Sequence, residues 1–271
     1  PFILISLFMS LSLVPILLTK RKAPNFKKIS GMRLKEVYKS SPFGVVSSFL
    51  IGISHSAVFS LIAVYATSMN FSILEVSIVT FLFAISGAIS QWPIGKLSDV
   101  LDRRIVIIYT TFGAALFCFL AIISSGQMYM PAGLATSKIF FYICIMCFSF
   151  CSLPMFALIF AHTNDFIPKE KFVAAGAGLQ FVFGLGAICG PFMCSLFMEF
   201  LGENGFFIFL IIFHSFIGLF GIYRMQIRES GDNPDSQFAP MPQTITPAGI
   251  ELNPSTEPID EPNNLNEFKK I

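Results

Sequence analysis

The chain has 271 residues, of which 54% are hydrophobic and only 13% are charged. A soluble domain contains about 25% charged residues, so this composition cannot supply the charged surface that a dissolved protein of this size needs. We therefore exclude a soluble enzyme, a nucleic-acid-binding protein and a secreted disulfide scaffold, and we predict an all-α polytopic membrane protein.

Long apolar segments recur along almost the whole chain. A helix needs roughly 20 apolar residues to cross the hydrocarbon core of a bilayer, and it satisfies all of its backbone hydrogen bonds within one segment. Seven transmembrane helices are therefore predicted, at residues 1–19, 44–67, 75–95, 104–124, 138–161, 172–198 and 205–225.

Two regions are too polar to lie in the membrane. Residues 20–43 contain eight basic residues and form a long linker, with a surface helix expected around Met32–Tyr38. Residues 226–271 are rich in proline and polar residues, which predicts a disordered tail. Because residue 1 is Pro and the first segment lacks the layout of a signal peptide, we expect the natural sequence to continue upstream.

The positions of the basic residues predict the orientation in the membrane. All but Lys138 of the 18 lysines and arginines fall on one side of the predicted helices. By the positive-inside rule this side is cytoplasmic, so the C-terminus is predicted to lie inside a multi-pass protein of the cell (inner) membrane.

A short hairpin between the third and fourth predicted helices carries a cluster of charges. Gly95 would let the backbone turn tightly, and Asp99 and Asp102 precede the next helix, where carboxylates cap exposed N–H groups. Arg103 and Arg104 can pair with those carboxylates or with lipid phosphates. Taken alone, these residues can be explained as a tight turn that carries positive-inside charges.

The sixth predicted helix is rich in glycine and contains a Gly-Pro pair. Gly178, Gly186 and Gly190 would allow a neighbouring helix to approach closely, and Pro191 can kink the helix. Two interpretations stay open, packing alone or a flexing helix in a moving bundle. Asn164 or Asp165 is a candidate cap for the start of this helix.

The charged hairpin resembles a loop motif of the major facilitator superfamily, and the glycine-rich stretch resembles helix 11 of that family. The Gln-Trp-Pro-Ile-Gly string at residues 91–95 is similar to the bacterial YcaD-like, drug-transporter-like branch. The resemblance implies that residues 1–225 correspond to helices 6–12 of a twelve-helix fold, with 1–19 ending the first bundle and 44–225 forming the second. In the family the charged loop latches the cytoplasmic side, although Val100 stands here where the family prefers a base.

The resemblance also implies which helices face a central cavity. On those helices the candidate cavity-lining residues are His55, Tyr65, Gln91, Trp92 and Gln180. An intramembrane histidine is a candidate functional group, but a neutral His55 bonded to Ser48 or to another hydroxyl would be purely structural. His214 falls on an outer helix and is interpreted as a packing residue.

No cofactor or metal site is predicted. Cys144, Cys147 and Cys151 share one helix face, but no methionine or histidine stripe joins them, so we interpret them as packing residues. The chain lacks a phosphate-binding glycine-rich loop and any nucleophile or zinc pattern, and we therefore predict that it is not an enzyme.

The sequence favours a secondary active transporter that moves a small solute by alternating access with proton coupling. Its expected partners are the solute, protons and the bilayer, without nucleic acid, and a monomer is expected. A complete seven-helix receptor or sensor and a transport-inactive scaffold are the alternatives. The near absence of charge from the predicted cavity helices favours an apolar or weakly polar solute.

Overall fold

The computed structural model describes residues 32–127, 134–229, 231 and 238–240, together with scattered positions before residue 15. Within these residues the chain is helical. The helices are α1 (Leu34–Ser40), α2 (Pro42–Ser68), α3 (Ile73–Val100), α4 (Arg103–Gln127), α5 (Leu134–Ser152), α6 (Met155–Asn164), α7 (Phe172–Leu201) and α8 (Gly205–Ile227), with a 3₁₀ turn at Lys169–Lys171.

Six helical spans in the described part of the chain are long and apolar enough to cross a membrane. They correspond to the last six predicted helices, with ends that differ by a few residues. The first predicted helix, at 1–19, lies largely outside the described residues, which include only scattered positions there. The expected surface helix is present as α1, and its Val37 is fully buried against the bundle.

One span is made of two helices. α5 ends at Ser152 and α6 begins at Met155, so Leu153 and Pro154 interrupt the helix. Proline has no backbone N–H to donate and its ring clashes with the preceding turn, which accounts for a break here. Backbone groups near the break are available to side chains of neighbouring helices.

Successive spans run in opposite directions, so the bundle has two chemically different ends. We call the end that holds Arg103, Arg104 and Arg228 the basic end. At the far end, the Lys138 ammonium lies 2.6 Å from the Glu75 carboxylate and joins α5 to α3. Glu75 also completes a capping box with Ser72 at the start of α3, which stabilises that helix end.

Aromatic side chains fill most of the interior. Near the far end Tyr65 stacks on Phe206 and Phe141, with ring centroids 5.2 and 6.0 Å apart. Closer to the basic end Phe43 and Phe156 occupy a second apolar cluster. α2 packs along α7, while α4 lies against both α5 and α8. This packing places the starts of α2 and α4 beside the end of α8.

Candidate functional site

The charged motif lies where α3 meets α4, but the turn is not at Gly95. α3 continues through Gly95 to Val100, and the chain leaves the helix only at Leu101 and Asp102. The expectation that Gly95 makes the turn is therefore wrong. The Asp102 carboxylate accepts the backbone N–H of Arg104 at 2.9 Å, which is the predicted capping role.

Arg103 connects the hairpin to another part of the basic end. One guanidinium nitrogen lies 2.9 Å from the Asp99 carboxylate on α3. The other donates to the Asp165 carboxylate and to the backbone carbonyl of Ala161 at the end of α6. Only 9% of the Arg103 side chain and 10% of the Asp165 side chain are exposed. This partly desolvated ion pair joins α3 and α4 to the connection between α6 and α7.

Arg104 makes a second link, to the end of α8. Its guanidinium lies 2.6 Å from the Asp102 carboxylate and donates to the backbone carbonyl of Arg228 at 2.6 Å. Burial favours a higher pKa for Asp102, but the hydrogen bonds from Arg104 outweigh it and hold that pKa below its usual value. The carboxylate is thus charged at neutral pH, and the ion pair persists there.

A residue of the C-terminal region lies on the charged motif. The backbone N–H of Phe238 donates to the Asp99 carboxylate at 2.9 Å. The Phe238 ring lies directly over Gly95, where a Cβ atom would overlap it, and it contacts apolar residues at the basic end. Gly95 is therefore the surface on which the ring packs.

We expect Gly95→Ala to release Phe238, because the added methyl group occupies the position of the ring. Burial of an aromatic ring contributes about 1.5–3 kcal/mol, so loss of even part of it makes the segment open at least about tenfold more often. Limited digestion of the purified protein with chymotrypsin, which cleaves after Phe, measures this at Phe238. Gly184→Ala is the matched control, because a Cβ there meets no neighbouring atom. Equal cleavage rates in the two variants would contradict the contact.

Two buried histidines meet at the break between α5 and α6. His55 Nε2, on α2, lies 3.1 Å from both the carbonyl oxygen and the Oγ of Ser152. His214 Nε2, on α8, lies 2.8 Å from the same Ser152 Oγ. His55, Ser152 and His214 are each at most 1% exposed. Of the two serines, Ser152 is thus the one bonded to His55, since Ser48 donates instead to the carbonyl of Leu179 on α7.

The acceptors around these rings define the direction of the hydrogen bonds. His214 Nδ1 lies 2.9 Å from the Leu210 carbonyl, so it carries the proton and its Nε2 is the acceptor when the ring is neutral. The Ser152 hydroxyl then donates to His214 and accepts from His55 Nε2–H. The result is a continuous chain from α2 through the α5–α6 break to α8.

α7 approaches α2 at its glycines. A Cβ atom on Gly186 would overlap the carbonyl oxygen of Phe49 and lie 3.0 Å from the amide nitrogen of Ile53. One on Gly190 would overlap the Ile53 carbonyl oxygen. A Cβ atom on Gly178 would lie 3.4 Å from the Val37 side chain on α1, which is a looser contact. α7 passes through Pro191 without interruption.

A family model describes the chain over most of its length. The model of the Major Facilitator Superfamily matches residues 1–130 and residues 44–255. The chain belongs to this superfamily. Six spans in the described residues and this membership make it a multi-pass membrane protein. No solved structure matches the chain.

Curated relatives carry superfamily names. An "Uncharacterized MFS-type transporter" of Yersinia enterocolitica is 23% identical over 201 residues, which are 74% of this chain and 47% of the relative. A similarly named protein of Bacillus subtilis, YfkF, is 26% identical over 68% of this chain and 45% of its own length. One from Enterobacter is 24% identical over 70% of this chain. The chain thus spans about half the length of these relatives.

The other candidate cavity residues of this superfamily member lie in different environments. Tyr65 is fully buried in the aromatic cluster of the far end, and Gln91 and Gln180 are half-buried. Trp92 is 68% exposed, and the Lys96 ammonium lies 4.2 Å from the centre of its ring. Their predicted role in lining a cavity stays a prediction.

Several contact residues were not identified by sequence reasoning. Asp165 was one of two candidate helix caps, yet it pairs with Arg103. The available sequence signal for this pair was a lone carboxylate in a loop on the same side of the membrane as the charged motif. His214 was interpreted as packing, but it shares Ser152 with His55. Ser152 precedes Leu-Pro, and this pair was the available signal for a helix break. No local pattern marks Phe238.

Proposed function

We propose that the described six-helix unit is the second of two bundles in a transporter that moves a small solute across the cell membrane by alternating access. Family membership supports a transporter, and coverage of about half of each relative supports a second bundle elsewhere in the protein. The excess of lysine and arginine at the basic end supports a cytoplasmic location for that end and for the C-terminus. Residues 20–43 then form the linker between the bundles.

The Arg103 ion-pair cluster is the observation that carries this proposal. It joins three helix ends at one side of the bundle through charged groups rather than through interdigitated apolar side chains. Unlike interdigitated apolar side chains, ion pairs at the end of a bundle can exchange partners or take up water when that end opens, so such a cluster can break and re-form as a bundle changes its tilt. A cluster of this kind suits a latch that closes one side of the cavity.

Proton coupling in this proposal uses His55, with His214 as a second ring that can take up the proton. A carboxylate is lacking from the middle of every described span, so histidine is the side chain there whose unperturbed pKa lies nearest the physiological range. His55 shares Ser152 with His214, and Ser152 lies at the break in its own span. A proton added to His214 Nε2 would change this nitrogen from a hydrogen-bond acceptor to a donor. The Ser152 hydroxyl could then no longer donate to it and would have to reorient. This connects proton binding to three helices.

The test measures solute accumulation in proteoliposomes with an imposed pH gradient, using a panel of weakly polar fluorescent solutes. We expect the wild-type protein to accumulate at least one of them when the gradient is present. His55→Gln keeps a donor for the Ser152 carbonyl but cannot take up a proton, so it should still equilibrate the solute without accumulating it. His214→Gln should behave in the same way, because the two rings share Ser152.

His162→Gln is the matched control, since His162 is equally buried but contacts Phe43 and Phe166 at the basic end. It should keep gradient-driven accumulation. Transport that ignores the gradient in wild type and His55→Gln alike would remove proton coupling while leaving the transporter. Absence of any solute movement would instead favour the transport-inactive scaffold.

A further inference from the structure

The basic end contains a narrow cleft separate from the Arg103 cluster. It lies between the start of α2, the start of α4 and the end of α8. Its polar lining comes from Ser41, Arg104, His162, Arg224, Arg228 and Glu229. Three of these side chains are arginines, so the cleft concentrates positive charge within a small space.

The surrounding contacts hold two of these arginines in place. Arg104 is fixed by Asp102 and by the carbonyl of Arg228. The Arg228 guanidinium donates to the Ser40 carbonyl at 2.6 Å and lies 4.1 Å from the Phe166 ring centre. Neither contact of Arg228 neutralises its charge, because a carbonyl and an aromatic ring carry no net charge.

Arg224 has an unsatisfied donor. Its Nε is shielded from solvent and has no hydrogen-bond partner among the described residues. A buried donor without an acceptor costs free energy, and such groups in native proteins often await a ligand or an ion. Within the described part of the chain, no carboxylate comes within 4 Å of the nitrogens of Arg224 or Arg228, even though Glu229 lines the same cleft.

Helix ends add to the attraction for an anion. α2 and α4 both begin beside the cleft, and the N-terminal ends of helices carry partial positive charge. The C-terminal end of α8, which carries partial negative charge, lies there too, but the Arg228 carbonyl already accepts from Arg104. Asp102 and Glu229 offset two of the three arginine charges. The remaining positive charge, the unsatisfied Arg224 donor and the two helix ends all favour a compact anion with several acceptor oxygens.

We propose that this cleft binds a phosphate group, carried by an anionic phospholipid at the membrane surface or by free phosphate. Arginine donors match phosphate oxygens in geometry, and basic pockets between membrane helices favour anionic headgroups. The bound group satisfies Arg224 and ties α8 to the starts of α2 and α4. This site is independent of the solute and of the proposed transport activity.

The test uses the full chain in detergent and measures the midpoint of thermal unfolding, with native mass spectrometry to count bound lipids. Phosphatidylglycerol should raise the midpoint in a dose-dependent manner, whereas phosphatidylcholine should not. Arg224→Gln should weaken the apparent affinity for phosphatidylglycerol roughly tenfold, as expected for loss of one charge-assisted contact. Without lipid this variant should be at least as stable as the wild type, because the unsatisfied donor is removed.

Lys35→Gln is the matched control, because Lys35 is exposed on α1 outside the cleft and the substitution changes the net charge equally. If inorganic phosphate protects as well as phosphatidylglycerol and this protection depends on Arg224, the site holds and its ligand is the free anion. Equal responses to phosphatidylglycerol in wild type, Arg224→Gln and Arg228→Gln would overturn the proposal. Should Arg224→Gln fail to fold, the count of bound lipids on Arg228→Gln decides in the same way.

Discussion

Arg103→Ala is expected to lower the free energy of unfolding by about 3 kcal/mol. The substitution leaves Asp165, whose side chain is only 10% exposed, without its Arg103 partner, and removal of one member of a buried ion pair costs about that much. It also removes the donor to the Ala161 carbonyl and the pair with Asp99. No other single side chain in the described residues pairs with two carboxylates.

Equilibrium unfolding in detergent micelles checks this prediction. Arg33→Ala removes the same side chain from an exposed position at the start of α1 and should change the free energy of unfolding by less than about 0.5 kcal/mol. Asp165→Asn should cost more than Asp99→Asn, because the Asp99 side chain is 37% exposed and its pair is better screened by water. If Arg103→Ala were as mild as Arg33→Ala, the cluster would not hold the basic end together.

Gly186→Val is expected to be at least as damaging, with a loss of about 3 kcal/mol or failure to fold. The new side chain would overlap backbone atoms of Phe49 and Ile53 on α2, and backbone of a packed helix cannot rotate away as a side chain can. The two helices would have to separate. Small residues at helix contacts are what allow close packing in a membrane, where the hydrophobic effect does not hold helices together.

Gly184→Val isolates this effect from helix propensity. Gly184 lies on the same helix only two residues away, yet a Cβ there meets nothing within 4 Å. Both variants introduce the same β-branched residue, so any difference between them reports on the contact with α2. Yield and unfolding in detergent should be near wild type for Gly184→Val and strongly reduced for Gly186→Val. Similar behaviour of the two variants would falsify the proposed close contact.

Two parts of the bundle are held together by different kinds of contact. α2 and α7 are joined by backbone contact through Gly186 and Gly190, which resists separation. The basic end is joined by the ion pairs of Arg103 and Arg104, which can exchange for water. This division of contacts is compatible with the proposed alternating access, in which bundles rock as units.

Much of the fold could be predicted from local sequence because a bilayer imposes a simple rule. A span must be apolar for about 20 residues, so six helices could be placed within a few residues of their ends. The role of Asp102 as a helix cap could also be predicted, because a cap accepts from backbone N–H groups that are close to it in sequence. The break at Leu153 and Pro154 was not predicted, although proline is itself a local signal.

The composition and order of residues by themselves determined that this protein is a helical membrane protein with one strongly basic side. Hydropathy and charge act along the chain, so they are readable without a structure. Only the tertiary structure decided that Arg103 pairs with Asp165 and that His55 and His214 meet at Ser152. Those partners are separated by 62 to 97 residues in sequence, and helix rotation and tilt determine which side chains face each other. The low charge content identified the environment, and the packing determined where the few charges meet.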